Sequence, residues 1–329
     1  MTRFGLPSIS SDLENLIAVG LTDVEQVLNS RIEGKYLFAN ETSRHLVEAG
    51  GKRFRPMLVL LGSYLGKGVN ENVIKSAAVC ELTHLATLYH DDVMDEADLR
   101  RGVPSANSRW GNSVAILTGD YLFAKMSQLL AELGPEAVKI QADTFERLVI
   151  GQIMETQGPG PSDDPLDFYL KVVAEKTGSL IATSLHFGAL MAEAPKNVIE
   201  VVTNFGEKIG VAFQLADDVI DIASPSHLSG KTPGTDLREG IPTLVTLNVI
   251  KMNRPEDYEL IQSLKAPIKD DERVNQVLAQ LREHPALDLS RKQLKQMAKD
   301  SRDILGGLPI SPISAAFYSL CDSIIDRVA

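Results

Sequence analysis

ELTHLATLYHDDVMDEADLRRG, residues 81–102, is the stretch on which the fold turns. No Gly or Pro interrupts residues 70–98, and apolar residues recur at helical spacing, so one long helix is predicted there, ended by Gly102 and Pro104. Asp91 and Asp95 are four residues apart, which puts both carboxylates on one helix face with Cβ atoms roughly 6 Å apart. Asp98 is expected to continue that face, and His84 to share it two turns earlier. Like charges at this spacing destabilise a bare helix, and a carboxylate beside buried surface costs free energy unless a cation offsets it. The same arrangement recurs in FQLADDVID, 213–221, where Asp217 and Asp221 repeat the pair and Gly210 and Gln214 lie above them.

Two such clusters in apolar helices call for a cation. Mg²⁺ fits best, because it takes oxygen ligands, retains waters and shares its shell with substrate phosphates. A solvated acidic face would explain one cluster, but two copies with a Gln or His on the same face count against it. An EF-hand is excluded by the missing loop Gly and terminal Glu. A di-iron site is excluded by the missing Glu-x-x-His pairs.

Further out along the chain, helical patterns dominate. Ser10-Ser11-Asp12 can cap a helix through Leu13, Leu16, Ile17, Leu21 and Val24. Gly50-Gly51 breaks the chain, and Pro56 suits the first turn of a helix through Leu58–Leu65. Helices are predicted over about 111–133, 135–156, 164–191 and 197–223, separated by Gly134-Pro135, GPGPSDDP (158–165) and Pro195. Residues 224–242 read as a loop rich in Gly, Pro and Ser, and weaker helical patterns run on to the end. No segment alternates with period two. One large all-α domain is the simplest organisation.

With 329 residues, 44% hydrophobic and 23% charged, the chain has ordinary globular composition. Its net charge of −11 makes a nucleic-acid partner a poor expectation. Cys80 and Cys321 form no CxxC pair, so neither a disulfide framework nor a zinc site is expected, and a reducing, cytoplasmic setting is. No run approaches the ~20 apolar residues of a membrane span, and the N-terminus lacks the apolar core of a signal peptide. Attachment at a membrane periphery stays open.

Basic groups stand near the turns. GGKRFRP (50–56) places Lys52, Arg53 and Arg55 after a flexible Gly pair and before a helix start, a good setting for an anion. Arg100-Arg101-Gly102 follows the first aspartate helix, and Lys176-Thr177-Gly178 and Gly230-Lys231-Thr232 resemble further phosphate contacts. Singly each would be ordinary surface; the inference rests on the set.

Together, GGKRFRP, ELTHLATLYHDDVMDEADLRRG, GDYLFA (119–124), KTGSL (176–180) and GVAFQLADDVIDIASPSHLSGKTPGTDL (210–237) resemble, in order, the motifs of the trans-polyprenyl diphosphate synthase family. The resemblance implies a single polyprenyl synthetase domain over 1–329, with a motif core at about 50–237. The fold it implies is one large antiparallel helical bundle of the isoprenoid synthase type around a central cavity, usually a homodimer, with the two Asp-rich helices facing each other at the cavity mouth.

It further implies that Asp91, Asp95 and Asp217 bind Mg²⁺, or Mn²⁺ in its place, and that Asp92, Asp218 and Asp221 complete or orient the shell. An allylic diphosphate would be held by the metal with Arg100, Lys176, Gln214 and Lys231, and Thr177 would add a hydroxyl contact. Isopentenyl diphosphate would bind Lys52, Arg55, His84 and Arg101. The released diphosphate is the family's proton acceptor, so no Ser, Cys or His nucleophile is expected.

An apolar cavity must exclude water from the carbocation-like centre, and Leu88, Val93, Leu122, Phe123 and Phe213 are available to line it. In the family, residues four and five before the first Asp help set product length. Here they are Thr87 and Ala86, small side chains that favour a long product of the kind used for quinone side chains, with Met126 as a second candidate for the floor. Tyr89 is bulkier than the family's usual aliphatic residue and is expected to narrow the upper cavity, and Phe54 replaces another. A class I terpene cyclase is the nearest rival, but it carries a different second metal motif and lacks the GGKRFRP site. A non-catalytic subunit of a two-part synthase is another, but such partners lose an Asp cluster.

Overall fold

The computed structural model describes residues 10–223 and 233–327; Gly230, Lys231 and Thr232 lie outside the described residues. Among the described residues the chain is all-α apart from one short hairpin. In order come α1 (Ser11–Ile32), α2 (Leu37–Glu48), α3 (Phe54–Ser63) and α4 (Glu71–Met94), then strands β1 (Leu99–Arg100) and β2 (Val103–Pro104). Next are α5 (Ala106–Trp110), α6 (Asn112–Leu133), α7 (Pro135–Gln157), α8 (Pro165–Val173), a π-helical turn (Ala174–Gly178), α9 (Ser179–Met191) and α10 (Lys196–Ala223). The remainder holds α11 (Thr235–Glu239), α12 (Leu244–Met252), α13 (Tyr258–Ser263), α14 (Asp271–Glu283), α15 (Pro285–Ile304) and α16 (Pro312–Asp326).

Helix starts follow their caps. The Ser10 hydroxyl accepts from Leu13 N at 3.3 Å, and Asn70 Oδ1 accepts from Val73 N at 3.0 Å. Asp164 accepts from Leu166 and Asp167 N, with Pro165 in the first turn.

Three expectations are corrected. The helix predicted over 70–98 stops at Met94, so Asp98 lies beyond it and does not continue the face of Asp91 and Asp95. The carboxylates of Asp91, Asp92, Asp95 and Glu96 crowd a helix C-terminus, where the macrodipole disfavours negative charge. Glu96 takes φ 50°, and Ala97 N turns back to Asp92 O at 2.9 Å, which closes the helix. The hairpin then follows, with Leu99 paired to Pro104 and Arg100 to Val103. Its loop is Arg101-Gly102, both at positive φ, as two-residue hairpin loops of the primed types require. The predicted helix over 164–191 carries the π turn in its middle, and α11 occupies part of the stretch read as loop.

The described residues form two compact units. One holds those up to Phe145 with Leu180–Gly206 and Gly307–Ala316; the other holds Glu146–Ser179, those between Glu207 and Gly306, and those from Phe317 on. In the first, α4 packs against α6, α3 and α1. Leu58, Val59, Leu60 and Leu61 are all fully buried there, each worth roughly 1.5–3 kcal/mol. In the second, α12 packs on α15 and α8, and Asn248 Nδ2 donates to Ser290 Oγ at 2.8 Å and Gln293 Oε1 at 2.7 Å. Among the described residues no helix is long and apolar enough to cross a membrane.

Candidate active site

In the first unit, the end of α4, the hairpin loop and the chain entering α3 bring the first aspartate segment together with a basic group. Asp92 is fully buried, and its Oδ1 takes both Arg100 Nε and Nη2 at 2.5 Å. Its Oδ2 is buried without a hydrogen-bond partner. Burial pushes the Asp92 carboxyl up, and Asp95 adds to this against the opposing pull of Arg100. Asp91 is half-buried and Asp95 exposed, at the rim of the same helix end.

The GGKRFRP cations divide by role. Arg53 donates to Glu25 and to Glu81 (2.9 Å), and to Val47 O at 3.0 Å, so its charge is spent on holding α3 to α1 and α4. It belongs to the scaffold and not to an anion site. Lys52 is exposed. Arg55 is half-buried, and its Nε is without a partner. Arg101 Nη1 donates to Leu46 O at 2.7 Å and to Gly50 O.

Gly51 explains the Gly pair. It sits at φ 144°, and a Cβ on it would stand 3.0 Å from the Arg101 guanidinium carbon. Arg53 and Arg101 are themselves at φ 47° and 54°, left-handed conformations that cost free energy in non-Gly residues and gather at functional sites.

This group is short of negative charge. Burial lowers the Arg55 and Arg101 guanidinium pKa, and Glu81 is the one carboxylate acting to raise both. His84 is held well below its ordinary value, first by burial and then by Arg55, Arg101, Arg100 and Arg53, so its imidazole is neutral. A neutral His beside crowded guanidinium groups, one with an unpartnered N–H, is a site prepared for an anion.

The second unit builds a chain of hydrogen bonds through the second aspartate segment. Thr177 Oγ1 donates to Gln214 Oε1 at 3.3 Å, and Gln214 Nε2 donates to Asp218 Oδ1 at 3.0 Å. The Tyr169 hydroxyl donates to the other Asp218 oxygen. Burial, with Asp217 and Asp221 adding repulsion, pushes the Asp218 carboxyl up to about 6. Asp217 receives Arg327 Nη2 at 2.5 Å, and Lys176 Nζ lies 2.5 Å from Glu155 Oε2.

Thr177, Gln214 and Asp218 thus share one hydrogen-bonded chain; its neighbours Tyr169, Glu155 and Arg327 carried no sequence signal. Among the described residues no three His, Cys, Asp or Glu side chains cluster as a ready-made metal site. Mg²⁺ needs only one or two carboxylates beside waters and phosphate oxygens; in the first unit the orphaned Asp92 oxygen fits such a cation, and in the second the carboxylates of Asp217, Asp218 and Asp221 supply donors of the same kind.

Of the chain-length candidates, Ala86 is fully buried, Thr87 is half-buried, and Met126 accepts from Thr83 Oγ1 at 2.9 Å. Tyr89 is fully buried. Its hydroxyl donates to Thr42 O at 2.6 Å and accepts from Leu46 N at 3.2 Å, which ties α4 to α2. Leu122 is fully buried, and Phe123 packs on Phe145 at 4.6 Å between ring centroids.

The polyprenyl synthetase family model matches residues 38–281. The nonaprenyl diphosphate synthase of Mycobacterium tuberculosis is 45% identical over 312 residues, covering 94% of this chain and 93% of its own. A dimethylallyltranstransferase of the same organism is 38% identical over 307 residues, 93% of each chain. The structure of geranylgeranyl pyrophosphate synthase from Corynebacterium glutamicum, complexed with calcium and isoprenyl diphosphate, superposes with TM-score 0.88 at 42% identity, covering 98% of this chain and 99% of that one. The all-α architecture is therefore that of the isoprenyl diphosphate synthases, and this chain belongs to the polyprenyl synthetase family, as a trans-prenyltransferase.

Proposed function

We propose that the chain condenses isopentenyl diphosphate with an allylic diphosphate and repeats the step to give a long all-trans polyprenyl diphosphate. The observation that carries this is the basic group of the first unit: Arg55, with an unpartnered Nε, and Arg101 beside a neutral His84. With Lys52 these groups bind the diphosphate of isopentenyl diphosphate and aim its double bond.

Asp91 and Asp95 of the first aspartate segment, and Asp217 of the second, would hold Mg²⁺, with Asp92 setting the surroundings in the first unit and Asp218 and Asp221 in the second. When bound, the metal neutralises the diphosphate that leaves the allylic carbon. In the second unit Lys176 and Gln214 hold that diphosphate, and Thr177 orients Gln214; Arg100 and Lys231 are assigned the same task from their sequence positions. The relative crystallised with calcium and isoprenyl diphosphate supports a divalent cation. Small Ala86 and Thr87 support a long product, as does the nonaprenyl synthase relative. Ile116 and Leu117 of α6, 42% and 65% exposed, support a homodimer.

A cyclase reading has no use for the GGKRFRP group, and a regulatory subunit none for two intact aspartate segments. The test is a pair of variants with labelled isopentenyl diphosphate. Arg55→Ala is expected to raise KM for isopentenyl diphosphate with little change for the primer, and Asp217→Ala to abolish incorporation. Equal effects of Arg55→Ala on both substrates, or full activity in Asp217→Ala, would refute the assignment.

A further inference from the structure

The π turn Ala174–Gly178 carries Lys176 and Thr177, and it is clamped from one face of α7. Arg147, Gly151 and Glu155 recur every four residues on α7, so they form one stripe. Arg147 Nε donates to Glu175 Oε2 at 2.7 Å, and its two terminal nitrogens donate to Glu207 Oε1 and Oε2 at 2.5 and 3.0 Å. The guanidinium thus joins the π turn to α10, on the face of Gln214 and two turns before it. Gly151 lets the backbones meet, since a Cβ there would lie 2.8 Å from Lys176 N. Glu155 then receives Lys176 Nζ. Just beyond the turn, Ser179 Oγ donates back to Glu175 O at 2.5 Å.

A π turn carries one extra residue relative to an α-helix and is retained where it serves a site. Were it to relax to α geometry, the residues on one side would rotate by about 100°. Lys176 and Thr177 would then leave the faces on which Glu155 and Gln214 lie. Without the guanidinium, Glu175 and Glu207 would also face each other as uncompensated carboxylates, which favours that relaxation.

We infer that Arg147 is a positioning residue for the reaction: by bridging Glu175 and Glu207 it locks the π turn that presents Lys176 and Thr177 to the allylic diphosphate. The inference deepens the proposed function and, in its catalytic half, rests on it.

The test combines exchange and kinetics on Arg147→Met, Arg147→Lys and Glu207→Gln in the full-length chain. Hydrogen exchange of the peptide spanning 174–179, without substrate, is expected to be faster in Arg147→Met than in the parent. With labelled isopentenyl diphosphate and an allylic primer, kcat is expected to fall by at least about tenfold, with KM for isopentenyl diphosphate within about twofold, because a misplaced group costs chemistry and not remote binding. Arg147→Lys should recover only part of kcat, since an ammonium cannot fork to two carboxylates.

If Arg147→Met does not fold, Glu207→Gln, which keeps the Arg147–Glu175 half, carries the test with a smaller loss of about threefold. Parent-like exchange at 174–179, or unchanged kcat in the folded variant, would overturn the inference. The exchange arm needs no turnover, so a chain that showed the exchange effect but no condensation would refute the proposed function while leaving the lock in place.

Discussion

Replacing Tyr169 by Phe removes one hydrogen bond and nothing else from the second aspartate segment. Asp218 is 6% exposed and accepts from Tyr169 and Gln214 while Asp217 and Asp221 repel its charge. Its carboxyl sits at about 6, above the ordinary 3.8. A raised carboxylate means that the folded chain holds the proton more tightly than the unfolded one. That contribution is fully present below about 4 and is lost as pH rises through 6, and the difference is worth about 3 kcal/mol.

A hydrogen bond to a charged group contributes about 2 kcal/mol, or about 1.5 pKa units. In Tyr169→Phe the Asp218 carboxyl therefore moves further up, and its ionised fraction at pH 7 falls about fourfold. If Mg²⁺ needs that charge, the Mg²⁺ concentration for half-maximal incorporation should rise about fourfold at pH 7 and hardly at all at pH 9. Titrations of activity with Mg²⁺ at both pH values, beside metal-free melting curves from pH 4 to 9, measure this. An unchanged Mg²⁺ requirement at pH 7, or a shift that persists at pH 9, would refute the reasoning.

Other perturbations have equally definite outcomes. Ala86→Phe places a ring at a fully buried position, so it should shorten the product on thin-layer chromatography and cost about 1–3 kcal/mol in denaturant melts through overpacking; an unchanged product distribution would remove Ala86 from the tunnel floor. Gly51→Ala meets both a φ of 144° and the Arg101 guanidinium, so KM for isopentenyl diphosphate should rise while KM for the primer holds. Arg53→Met removes the hydrogen-bonded cation shared by Glu81 and Glu25 while Arg55 and Arg101 still face Glu81, and should lower stability by about 1–3 kcal/mol; a variant that melted normally but lost isopentenyl diphosphate binding would place Arg53 in the anion site after all.

The parts legible in the sequence were those written locally. DDVMD and DDVID show their carboxylates at helical spacing, and Lys176-Thr177 and GGKRFRP show their cations beside turns. What stayed hidden depends on partners far along the chain. Tyr169 meets Asp218 across 49 residues, and Arg147 meets Glu207 across 60. Arg53 and Arg55 look alike in GGKRFRP, and only the approach of Glu25 and Glu81 to Arg53 separates a scaffold cation from one whose Nε has no hydrogen-bond partner. The early end of α4 was hidden for another reason. No Gly or Pro marks it, and the break comes from Glu96 adopting a left-handed conformation at a negatively charged helix end.

The most direct measurement is incorporation of labelled isopentenyl diphosphate by the purified chain, offered allylic primers of increasing length, before and after removal of divalent cations. The account predicts label in an extractable, all-trans polyprenyl diphosphate, no label after EDTA treatment, and recovery when Mg²⁺ is restored. Folded protein that incorporated nothing with any primer in the presence of Mg²⁺, or that incorporated equally after EDTA, would contradict it.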